Sequence, residues 1–96
     1  MVVFFTKMHM IVSGRVQGVF FRRYTKTCAD ELKIKGRVRN LPGGSVEIEC
    51  EGDENALKLF LEKLKEGPPA SRVDDVSVEE KDDLPEFEGF EIAYTN

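Results

Sequence analysis

The stretch Gly14-Arg15-Val16-Gln17-Gly18-Val19-Phe20-Phe21-Arg22 lies between a run that alternates like a strand and one that repeats like a helix. It is a strand–loop–helix junction, and it orders everything on either side. Two glycines allow tight backbone turns, and the helix start beyond them leaves N–H groups without intrahelical partners. Those amides, the positive end of the helix dipole and Arg22 together make an anion cradle. The guanidinium adds a planar fork that holds two phosphate oxygens at once.

Before the junction, Met8-His9-Met10-Ile11-Val12-Ser13 has the character of a mostly buried strand. After it, Phe21, Thr25, Cys28 and Leu32 recur at helical spacing, with Lys33, Lys35 and Gly36 as stop signals. Arg37 to Leu41 predicts a short strand and Pro42-Gly43-Gly44 a turn. Val46, Ile48 and Cys50 then alternate with Glu47, Glu49 and Glu51, which predicts a hairpin with one buried and one solvated face. Asp53 is placed to cap a second helix whose apolar stripe is Leu57, Phe60, Leu61 and Leu64, and Gly67-Pro68-Pro69 stops it. Val73, Val76 and Val78 predict a fourth strand, Glu79 to Asp83 a solvated turn, and Phe90, Ile92 and Tyr94 a closing strand. The order βαββαβ plus a C-terminal strand predicts an α+β, ferredoxin-like split βαβ sandwich, an antiparallel sheet with two helices on one face.

The chain has 96 residues, which fits one domain spanning 1–96, with 1–6 as an edge extension or loose end. No apolar run approaches the roughly 18 residues that span a membrane. The opening Met1-Val2-Val3-Phe4-Phe5 has neither a basic start nor a small-residue cleavage site, so a cytoplasmic address is expected. Cys28 and Cys50 fall in different elements without metal-ligand spacing, and His9 is the only histidine. Buried free thiols are expected, although the sequence leaves a bridge open, and the Glu47, Glu49, Glu51 ladder is expected to be simply solvated. Charge is uneven. Residues 1–40 carry nine Lys/Arg and two Asp/Glu, whereas 41–96 carry five and sixteen, for −4 in all. The basic half holds the cradle and favours a small anion. An isoelectric point near 5.0 argues against a nucleic-acid role.

These residues resemble the acylphosphatase family. Gly14 to Arg22 matches its signature Gly-x-Val-Gln-Gly-Val-x-Phe-Arg, and Gly36 to Gly52 matches a second, with Asn40, Gly44 and Val46 in place. Arg37 stands where the family usually has an aromatic residue, and the apolar extension before Lys7 is unusual. The resemblance implies hydrolysis of the carboxyl–phosphate bond of small acyl phosphates. Arg22 would bind the phosphoryl oxygens with backbone amides of Arg15, Val16, Gln17, Gly18 and Val19, and Asn40 would position the attacking water. It implies no metal, cofactor or phosphoenzyme. The expected partners are the substrate and phosphate, with no nucleic acid or membrane, and the expected state is a monomer.

The chemistry suits these residue types. A carboxylate leaving group with a pKa near 4 departs without a proton donor. The phosphoryl transition state is loose, so positioning and charge stabilisation dominate. An asparagine both accepts from and donates to water, which orients rather than deprotonates it. Arg23 and Lys26 are expected to contribute only to the field, Gln17 to brace the loop, and His9 to have no catalytic duty. Two other classes stay open. An RNA-binding ferredoxin-like module would stack bases on sheet aromatics, which Arg37-Val38-Arg39 does not offer. A carbamoyl-phosphate-type hydrolase or a regulatory anion sensor is the other.

Overall fold

The computed structural model describes residues 5–94. Its elements run β1 (Phe5–Arg15), α1 (Phe21–Glu31), β2 (Lys35–Asn40), β3 (Val46–Asp53), α2 (Glu54–Glu66), β4 (Arg72–Glu80) and β5 (Phe90–Ile92). They form one sheet in the order β4-β1-β3-β2-β5. The pairs β1/β3, β1/β4 and β2/β3 are antiparallel, as the split βαβ plan predicts. The fifth strand differs. It joins β2 in parallel, Val38 opposite Ile92, so the sheet is mixed.

Alternation assigns the two faces. Met10, Val12, Val38, Val46, Ile48 and Cys50 are fully buried and meet Phe21 and Ala29 of α1 and Leu57, Phe60 and Leu64 of α2. Both helices therefore cover this one face. Each such aliphatic or aromatic side chain contributes about 1.5–3 kcal/mol by leaving water. The α2 N-terminus is capped as expected, with the Asp53 carboxylate accepting from the amides of Asn55 at 2.8 Å and Ala56 at 3.3 Å.

Three local expectations change. Helix α1 ends before Gly36, because Lys33 takes the left-handed turn (φ 57°) and the Ile34 amide reaches back to the Ala29 carbonyl at 2.8 Å. Gly36 instead sits within β2, where a Cβ would strike the Glu49 carbonyl oxygen and lie 2.8 Å from Cys50 Cα. Thr6 and Phe5 pair with Gly52 and Asp53, so this part of the N-terminal extension lengthens an interior strand rather than an edge, and residues 1–4 lie outside the described region. Strand β4 also continues to Glu80, into the stretch expected to be a turn.

The face without helices is an ion-pair lattice, not a solvated ladder. Opposite β3 stand Arg37 and Arg39 of β2, whose Nε atoms donate to Glu49 at 2.5 Å and Glu47 at 2.6 Å. His9 Nε2 lies 2.9 Å from the other Glu47 oxygen, and Lys7 lies 3.7 Å from Glu51. Glu49 is 8% exposed, which cross-strand arginines make tolerable. Burial alone would raise the Glu47 pKa, but hydrogen bonds from His9 and Arg39, and their charges, outweigh it and hold the carboxyl below its usual 4.5. The folded state thus binds this proton less readily than the unfolded chain, so the contribution is full above pH 4.5 and is lost as pH falls further. Denaturant midpoints should decline below that pH, and Glu47→Gln should flatten part of the decline. An unchanged slope would show that the pair does not contribute.

Among the described residues no helix is long and apolar enough to cross a membrane.

Candidate active site

The β1–α1 junction folds as a loop held at both ends by the core. Val16 and Val19 are buried at 1% and 5% exposure and anchor it from below. Gly18 takes φ 74° with open space around its Cβ position, so the left-handed backbone, not crowding, asks for glycine. Gln17 turns its side chain away and donates to the Leu41 and Ser45 carbonyls at 2.9 and 2.8 Å. It thereby ties the loop to the β2–β3 turn, immediately after Asn40. Gln17→Ala removes both bonds and should lower stability by about 1–3 kcal/mol in a denaturant titration. A loss near zero would mean the loop stands without that brace.

Phe20 ends the loop in the left-handed region (φ 64°, ψ 24°) and provides no side-chain cap to α1. For a bulky residue this backbone is an outlier costing about 1–2 kcal/mol. Strain of that kind concentrates at functional sites. Phe20 stands immediately before α1, and its carbonyl accepts from the Tyr24 amide at 3.0 Å.

The cavity occupies about 400 Å³ and is lined by Val16, Gly18, Phe20, Phe21, Arg22, Arg23, Asn40, Ile92 and Tyr94. Arg22 and Asn40, on α1 and at the end of β2, therefore meet at one place, as does part of the loop. Of the other loop residues, Arg15 is exposed at the end of β1, Gln17 faces the hairpin turn and Val19 is buried, so any contribution they make to the cavity is through the backbone.

Arg22 is held by the C-terminal segment. Its Nη1 donates to the Ala93 carbonyl at 3.5 Å, and its Cζ lies 4.8 Å from the Tyr94 ring centroid. A cation over such a ring gains about 0.5–2 kcal/mol. Among the described residues no carboxylate forms a salt bridge with Arg22, so its charge stays available to an anion. Arg37, in contrast, faces the opposite side of the sheet on Glu49 and does not line the cavity.

Sequence reasoning missed five lining residues. Phe20, Ile92 and Tyr94 carry no chemistry that marks them, Phe21 reads as helix core, and Arg23 reads as an ordinary helix charge. Lys26 also does more than add field, since it donates to the Phe90 carbonyl at 2.8 Å and pins β5 to α1. Cys28 and Cys50 are free and buried. Burial pushes the Cys50 thiol up to about 12 and raises Cys28, so neither is a thiolate nucleophile at neutral pH. Among the described residues no group of three or more His, Cys, Asp or Glu side chains is placed to hold a metal ion.

Comparison with known proteins agrees across sequence and structure. The Acylphosphatase family model matches residues 8–92. The chain is 49% identical to an acylphosphatase of Bacillus licheniformis over 88% of its own length and 94% of the relative's. It is 52% identical to an acylphosphatase of Thermotoga maritima over 86% and 91%. The crystal structure of acylphosphatase from Bacillus subtilis superposes with a TM-score of 0.89 at 45% identity, covering 95% of this chain and 100% of that one.

Proposed function

This chain belongs to the acylphosphatase family and hydrolyses acyl phosphates, and we propose that it does so by direct attack of an Asn40-oriented water on a phosphoryl group held by Arg22. The observation that carries this reading is the convergence of Arg22, Asn40 and the Val16–Gly18 loop on one cavity. Arg22 places a planar pair of donors on the phosphoryl oxygens, and backbone amides from Arg15 to Val19 add neutral donors. The Asn40 side-chain amide holds a water by hydrogen bonding and aims it at phosphorus. The water oxygen forms the new P–O bond while the bond to the acyl oxygen breaks. The carboxylate leaves with the electron pair, and the proton from water passes to phosphate or solvent. No general acid is required, because the leaving group is already stable as an anion. Charge spread over the equatorial oxygens strengthens the Arg22 and amide interactions in the transition state, where they accelerate the reaction.

The same reading takes residues 1–96 as one domain acting as a cytoplasmic monomer. Hydrolysis in oxygen-18 water tests the point of attack. The label should appear in inorganic phosphate. Label in the carboxylate would place the attack on the acyl carbon and overturn the mechanism.

A further inference from the structure

Phe20 and Tyr94 stand out at the cavity because both residues are exposed, at 78% and 73%. Phe20 also keeps a left-handed backbone at the head of α1, where its side chain makes no capping hydrogen bond. The polar side chains of the lining are Arg22, Arg23, Asn40 and the Tyr94 phenol, and the first three suit a phosphoryl group and a water. What remains is Gly18, the buried Val16 and Phe21, and the more accessible Phe20, Ile92 and Tyr94, continuous with the Arg22 guanidinium through the Tyr94 ring at 4.8 Å. No carboxylate or amide in the lining is left to recognise a charged or polar acyl group.

We propose that Phe20, Ile92 and Tyr94 form an acyl-group subsite that selects acyl phosphates with a flat apolar acyl group, aromatic ones above acetyl. The inference rests on the acyl-phosphate reading of the same cavity. With the phosphoryl group on Arg22, the acyl group extends along the remaining wall, which the two rings and Ile92 supply. An aromatic ring gains stacking and apolar contact there, whereas a methyl group reaches little of it.

The test compares kcat/KM for benzoyl phosphate and acetyl phosphate, whose carboxylate leaving groups are of similar basicity. The variants are Phe20→Asn, which tolerates the left-handed backbone, and Phe20→Tyr, which restores a ring. The wild type should prefer benzoyl phosphate by about tenfold or more. Phe20→Asn should lose most of that preference, and Phe20→Tyr should keep it, all three proteins melting cooperatively. A preference near one in the wild type, or one that survives Phe20→Asn intact, overturns the subsite while leaving the hydrolase reading standing. Failure of the folded wild type to turn over either substrate overturns the hydrolase reading, and the subsite with it.

Discussion

Arg22→Ala should lower kcat for acyl-phosphate hydrolysis by at least about 10²–10³-fold while the protein remains folded. The guanidinium lies on the cavity wall, half-buried, with its charge unpaired among the described residues and its position set by Ala93 and Tyr94. The fold does not depend on it, because the packing beneath α1 comes from Phe21, Thr25, Cys28 and Ala29. Arg22→Lys separates charge from geometry. It keeps the cation but loses the two-pronged fork, so its rate should fall between the wild type and the alanine variant. Equal rates in wild type and Arg22→Ala would remove Arg22 from the chemistry.

Phe60→Ala carries the largest expected cost in stability. Phe60 is fully buried on α2 and meets Phe90 of β5 edge-on, with ring centroids 6.1 Å apart. Truncation loses the transfer energy of the ring and leaves a cavity, about 3–5 kcal/mol together. For a domain of this size the midpoint of thermal unfolding should fall by about 20 °C. The effect should also loosen β5, whose C-terminal continuation supports Arg22. A shift of only a few degrees would show that the core closes around the vacancy.

How far the sequence reads depends on the range of each interaction. Asp53 and the Leu57, Phe60, Leu64 stripe were legible because capping and helical periodicity are local, and the structure repeats them. The two signatures were legible because they hold their residues at fixed spacing, and they led to both Arg22 and Asn40. The ion-pair lattice was not. Glu47 and Glu49 look solvated until β2 brings Arg37 and Arg39 opposite them, a pairing no single strand records. The end of α1 falls short of Gly36 because Lys33 takes the left-handed turn that a glycine ordinarily supplies. Nor does anything near Tyr94 in the chain tell of Arg22, more than seventy residues earlier. That contact exists only once β5 lies parallel to β2 and α1 crosses above it.

The division of labour between Arg22 and Asn40 is tested most directly by Asn40→Ala, with kcat for benzoyl phosphate and the inhibition constant for inorganic phosphate measured on the same folded protein. If Asn40 orients the water while Arg22 and the loop amides hold the phosphoryl group, kcat should fall about 10²-fold and phosphate inhibition should not change. A variant that turns over at the wild-type kcat would contradict the account.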